Sequence, residues 1–246
     1  MLWTHHSSFL SKSAIFFLMM STGGLANIAL GQFTVERSPW LDSEAVTDEP
    51  IEQVWSVRDG GNGLPLDVIF RVEGINPRKT VHLNIHEDTV LQLQPYRRYT
   101  RICVEPQFMM HTDRIWADPQ MAGDTVRLLP LKVGLEVDLE PIEFMPGAST
   151  LYHTSIPTLE ALFEFIQVNP TLGLALIGHE QSSSDNTEFE SRERARAVWE
   201  YLVTQGIDPR RIQVEGRGSD QLRFPHPKTV EQAEANRRIT IRVIDY

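Results

Sequence analysis

Ser191-Arg192-Glu193-Arg194-Ala195-Arg196-Ala197-Val198, continued by Tyr201-Leu202 and Gly206-Ile207, is the stretch on which the fold turns. Ser191, Ala195, Val198 and Leu202 fall on one helical face, and charged residues fill the others. Gly206 suits the left-handed position just past a helix end. Working outward, Ile212 to Glu215 reads as a short strand, and Ile239, Ile241 and Val243 alternate in a last one. On the upstream side, Leu172 to His179 is a strand-like run. Before it, Leu159, Leu162, Phe163 and Ile166 line one face of another helix. Ser155 suits its cap, Pro157 its first turn, and Asn169-Pro170 its end. With a strand opening the region near Glu143, the order is β-α-β-α-β-β. That order predicts two helices on one face of a small mixed sheet.

Further upstream the period is two. Leu66, Val68, Phe70 and Val72 alternate with Asp67, Arg71 and Glu73. Val81, Leu83 and Ile85 alternate with His82, Asn84 and His86, and Val133, Leu135, Val137 and Leu139 with Glu136, Asp138 and Glu140. Turn signals separate the runs: Gly60-Gly61-Asn62-Gly63, Gly74-Ile75-Asn76-Pro77 and Gly123-Asp124. Half-buried short strands at this spacing predict an antiparallel β-sandwich over 51–141, preceding the β-α-β-α-β-β domain over 142–246, an α+β fold overall.

The N-terminus bears on compartment. Lys12 precedes the apolar run Ala14-Ile15-Phe16-Phe17-Leu18-Met19-Met20, and Ala29-Leu30-Gly31 supplies small residues at a cleavage site. The pattern reads as a secretory signal peptide over 1–31, with a cut after Ala26 as the alternative. The run is too short to span a bilayer well, a retained anchor being the other reading. Residues 32–50 are polar and acidic and read as a linker. The 246 residues carry a formal net charge of -10, which disfavours nucleic acid as a partner. Cys103 is the single cysteine, so no intrachain disulfide and no paired-cysteine zinc site is expected. No later segment is apolar enough for a transmembrane helix, and no transmembrane barrel is expected.

The C-terminal motifs resemble those of OmpA-like domains. Ile142-Glu143-Phe144, with Leu151 and Ser155, is similar to the family's opening strand and helix start. Gly178-His179 ends the second strand where the family has Gly-His-Thr-Asp, and residues 191–198 match its helix signature Leu-Ser-x-x-Arg-Ala-x-x-Val. Gly216-Arg217-Gly218-Ser219 matches its Gly-x-Gly-Glu/Ser turn, and Asn236-Arg237-Arg238-Ile239 its Asn-Arg-Arg-Val/Ile. More weakly, Val57-Arg58-Asp59, the glycine turn and Leu64-Pro65-Leu66 resemble carboxypeptidase-regulatory-like, prealbumin-type sandwiches. The OmpA resemblance implies a non-enzymatic envelope protein of the periplasm or outer membrane. It would bind the diaminopimelate of peptidoglycan stem peptides without a cofactor and tether an envelope assembly, with the sandwich turned to an envelope protein partner. The alternative is a structural protein whose diverged domain has lost that ligand.

Diaminopimelate presents an ammonium and a carboxylate on one carbon, so a site for it needs a fixed cation beside a fixed anion. Arginine's fork suits the carboxylate. The resemblance places Arg194 in that role, with Arg237 as the second arginine, paired to ligand or to a helix acid, and His179 at the strand end. The family's aspartate position falls on Gln181, which accepts a hydrogen bond but brings no charge. Glu180 or Asp185 would have to substitute, and Glu180 points to the other face if the strand continues. Arg194 could instead be a surface residue paired to Glu190.

Other constellations read as bland. His82 and His86 stand about 13 Å apart on a strand, too far to share a metal with each other and His111. Cys103 reads as a buried thiol, and Gly216-Arg217-Gly218 as a turn. No catalytic set, metal site or cofactor is expected.

Overall fold

The computed structural model describes residues 49–74, 81–85 (backbone), 89–121, 123–181 and 186–246. The leader over 1–31, nearly all of the 32–50 segment, and Asp185 lie outside the described residues.

Two small sheets come first along the chain. One has the order β4-β1-β7, from β1 (Ile51–Asp59), β4 (Thr89–Leu93) and β7 (Gly123–Leu128). The other has the order β3-β2-β5-β6, from β2 (Val68–Gly74), β3 (Val81–Ile85), β5 (Arg98–Cys103) and β6 (His111–Trp116). Their shared core holds Trp55 and Val57 from β1, Val68, Phe70 and Val72 from β2, Leu91 and Leu93 from β4, and Val126 and Leu128 from β7. These are the alternate positions that the period of two singled out in β2. β1 and β7 run parallel, against the all-antiparallel expectation. Alternation reports which face of a strand is buried and carries no information on its direction. A parallel pair needs a crossover, and the chain makes it through the other sheet.

The C-terminal sheet has the order β10-β9-β11-β8 and is mixed, as expected. β9 (Gly173–Gly178) pairs parallel with β10 (Ile212–Gly216) and antiparallel with β11 (Ile239–Asp245). β8 (Glu136–Asp138) supplies the outer strand against β11. The 133–139 alternation, grouped with the upstream strands, therefore delivers its strand to this sheet, because a repeat of two does not name its partner. Ile142-Glu143-Phe144 is not a strand of the sheet. Only Phe144 bridges to Leu151.

Helix α1 (Ile156–Val168) and helix α2 (Thr187–Thr204) contain the expected helical faces, and α2 begins one turn before Ser191. Ser191, Ala195, Val198 and Leu202 are all fully buried. On α1 the buried aromatic is Phe165, while Phe163 is only partly covered. Ser155 sits before α1 without capping it. Its hydroxyl accepts the Glu143 N–H at 2.8 Å, tying residue 143 to the helix start. Gly206, at φ 103°, closes α2 as expected.

A third helix, α3 (Val230–Asn236), interrupts the expected pair of final strands, so the order is β-α-β-α-β-α-β. The C-terminal core also takes in Ile102, Met109, Met110 and Leu131, so one hydrophobic cluster joins the upstream sheets to α1, α2 and β9. Among the described residues no helix is long and apolar enough to cross a membrane.

Candidate functional site

Two glycines set the site. A Cβ on Gly178 would lie 1.8 Å from the Ser191 carbonyl oxygen, and one on Gly216 would lie 2.2 Å from that of Glu188. Glycine at both positions lets the first turns of α2 settle onto the ends of β9 and β10. The Gly218 N–H donates to the Ser191 hydroxyl at 3.0 Å, fastening the turn after β10 to the same helix. Arg194, one turn further along α2, is thereby carried to the end of β9.

There it meets Glu180. The Glu180 carboxylate is 2% exposed and forms an ion pair with Arg194 through one oxygen. The other oxygen accepts from Arg237 Nε at 3.1 Å. The strand-parity objection to Glu180 lapses because β9 ends at Gly178. Beyond it, the Glu180 N–H donates to the Gly218 carbonyl at 3.0 Å and the side chain meets Arg194 of α2. Arg194 thus pairs with Glu180 and not with Glu190. Its side chain is 11% exposed and lies 5.5 Å over the Phe144 ring. Burial, then the charge of Arg237, draws its pKa down. The triad holds two cations against one anion, a net positive charge at the bottom of the site.

Arg194, Arg237 and Arg238 help to wall a cavity of about 530 Å³, together with Phe144, Tyr152, Arg114 and the carboxylates of Glu140, Glu143 and Glu234. Arg114 arrives from β6, so the upstream sheets share in the wall. It bonds Glu143 at 2.6 Å, and the Thr154 hydroxyl donates to the other Glu143 oxygen.

The remaining residues singled out by sequence stand apart. Gln181 accepts from the Asn236 side-chain amide, which also donates to the Phe224 carbonyl at 2.8 Å. His179 is fully buried, with Nε2 at 3.3 Å from the Thr240 hydroxyl, and does not wall the cavity. Burial, reinforced by Arg238, pushes its pKa down to about 4. Arg237 and Arg238 both precede β11, so strand alternation does not divide them between two faces. Arg238 pairs with Asp138 at 3.1 Å. Among the described residues, no group of three or more His, Cys, Asp and Glu is arranged to hold a metal. His86 lies outside the described residues, as does the His82 side chain. Cys103 is buried, and burial, then Glu105, raises its pKa.

Sequence reasoning missed Arg114, Phe144, Glu143 and Glu234 as cavity walls. Only the neighbourhood of Glu143-Phe144 carried a motif signal.

Residues 143–237 match the model of the OmpA family. This region is an OmpA-family domain. No curated protein matches the chain. Among solved structures, the chain is similar to a MotB-like protein from Desulfovibrio vulgaris, at 22% identity and TM-score 0.39, covering 45% of this chain and 74% of that one. It is similar to the cell wall anchor of the type VI secretion system from Pseudomonas aeruginosa, at 19% identity and TM-score 0.37, covering 45% and 80%. A third is the peptidoglycan-associated lipoprotein from Burkholderia pseudomallei, at 14% identity and TM-score 0.37, covering 43% and 88%. Arg194 and Arg237 fall within the matched range.

Proposed function

We propose that this chain is a non-enzymatic cell-envelope protein whose OmpA-family domain holds the diaminopimelate of peptidoglycan stem peptides and so tethers an envelope assembly to the wall. One observation carries the reading. Arg194, at the signature position of α2, walls a cavity of about 530 Å³ instead of extending into bulk water. Arg237, half-exposed beside it, gives a carboxylate a second guanidinium at the cavity wall. Paired guanidinium donors on a carboxylate are among the stronger hydrogen-bonding arrangements available to proteins.

In this reading the chain is exported through its 1–31 segment and works in the periplasm or at the outer membrane. The two upstream sheets, sharing one core, act as a β-sandwich module that meets an envelope protein partner.

A second reading has its own observation. Glu180 already neutralises Arg194, and Gln181 is tied to Asn236, so both positions have partners within the chain and neither needs a ligand to be paired. Co-sedimentation of the purified chain with insoluble peptidoglycan separates the two. Tethering predicts retention of the wild type and its loss in Arg194→Ala. Arg237→Ala, at a half-exposed position, repeats the test with less strain on the fold, and thermal melts check that both variants remain folded. Absence of wild-type retention favours the ligand-free reading. Release of soluble wall fragments would overturn the non-enzymatic one.

A further inference from the structure

A zwitterionic ligand needs an anion for its ammonium, and the carboxylates in this cavity differ in one respect. Glu143 is held by Arg114 and Thr154. Glu140 accepts from Arg223 at 3.2 Å. Glu180, behind the wall, has both oxygens on arginines. Glu234 is exposed, and among the described residues its carboxylate has no ion pair or hydrogen bond.

Glu234 lies in the last turn of α3, and the Arg237 N–H donates to its carbonyl at 2.9 Å. A bare carboxylate near a helix C-terminus faces the negative end of the peptide dipoles and gains from a nearby cation. On the same wall Arg237 spends Nε on Glu180 and is otherwise half-exposed. The cavity therefore offers an uncommitted anion and a half-committed cation three residues apart.

We propose that Glu234 takes the ligand's ammonium, the role that Gln181 cannot fill, while Arg237, backed by Arg194, takes its carboxylate. This assignment rests on the tethering reading above and adds the ligand's positive pole to it. It makes recognition depend on a free amino group beside a carboxylate, and not on a carboxylate alone.

The test uses the full chain with insoluble peptidoglycan, native or with its free amino groups acetylated, together with Glu234→Gln. Acetylation should weaken wild-type binding about tenfold to a hundredfold, the range of one charge-assisted hydrogen bond. Glu234→Gln should weaken binding to the native wall by a similar factor, and acetylation should then add little, because both changes remove the same contact. Equal loss on acetylation in both proteins, or native-wall binding by Glu234→Gln as tight as the wild type's, overturns the assignment and leaves tethering intact. No wild-type binding to the native wall overturns tethering and the assignment with it. Glu234 is exposed, so an unchanged melt is expected for the variant.

Discussion

At the residue scale, Glu180 is the pivot. Its carboxylate is buried between Arg194 and Arg237, and neither arginine has a second acidic partner among the described residues. Removing one partner of such a pair leaves uncompensated buried charge. Glu180→Gln should cost about 3 kcal/mol, the low end of the buried-pair range, because Arg237 keeps contact with water. A urea midpoint within error of the wild type's would refute this. Glu180 was legible as a candidate, but not as the partner of both arginines. That pairing depends on where β9 stops, which periodicity locates only to within a few residues. His179 makes a separate prediction. Its pKa falls from 6.5 to about 4 in the folded chain, through burial and then Arg238. The unfolded chain therefore takes up a proton first as pH falls. The contribution of neutral His179 is fully present above pH 6.5 and declines as pH drops toward about 4. Denaturant midpoints across that window should fall for the wild type and fall less steeply for His179→Gln.

At the element scale, the two long helices were legible because each has a buried face at helical spacing. α3 was not, because it is short and its first residue, Val230, is exposed, so no apolar stripe marks it. Its signal lay in the cap. The Thr229 hydroxyl accepts the Gln232 N–H at 3.3 Å, and the Gln232 side chain accepts the Lys228 N–H at 2.7 Å, an arrangement related to the capping box. The end of α1 was also only half legible. Asn169-Pro170 marks where it stops, but not what satisfies its last carbonyls. Arg211, from the turn before β10, does that. It donates to the carbonyls of Ile166, Asn169 and Leu172 at 2.9, 2.6 and 3.1 Å. Such a long-range clamp has no local sequence pattern. Arg211→Ala should destabilise by about 1–3 kcal/mol, the cost of leaving the partly buried carbonyls of Ile166 and Leu172 without this donor, while Asn169 keeps the Leu172 N–H. Arg211→Lys should recover only part of it, since an ammonium lacks the planar fork that reaches several carbonyls at once. Chemical denaturation of the two variants against wild type measures both.

At the scale of the whole molecule, the decisive feature is that the described residues from Glu49 onward lie in one compact unit with a core crossing from the upstream sheets into the OmpA-family domain. Ile102, Met109, Met110 and Leu131 pack in the cluster that holds Leu162, Phe165 and Leu176. Arg71 reaches Glu164 on α1 at 2.9 Å, and Arg114 reaches Glu143 at 2.6 Å. Sequence periodicity separates regions by repeat length, so it draws a border where the repeat changes and is silent on apolar surface shared across it. The consequence is measurable. A fragment beginning at residue 142 lacks β8, the strand that covers one edge of β11, and lacks Leu139, which is buried in the C-terminal core. It also uncovers the apolar surface that the four upstream residues bury. Each fully buried large aliphatic side chain is worth about 1.5–3 kcal/mol, so losing several of them removes a large share of a typical domain's stability of about 5–15 kcal/mol. The fragment 142–246 should therefore melt well below the chain from residue 46, or fail to fold. A fragment from residue 131 should recover part of the difference by restoring β8, Leu131 and Leu139. The chain from residue 46 should unfold in one transition, with near-ultraviolet and far-ultraviolet signals coincident. Two separated transitions, or a 142–246 fragment as stable as the longer chain, would show that the upstream sheets and the cavity-bearing domain stand independently, and that Arg114 reaches the cavity wall without being needed there.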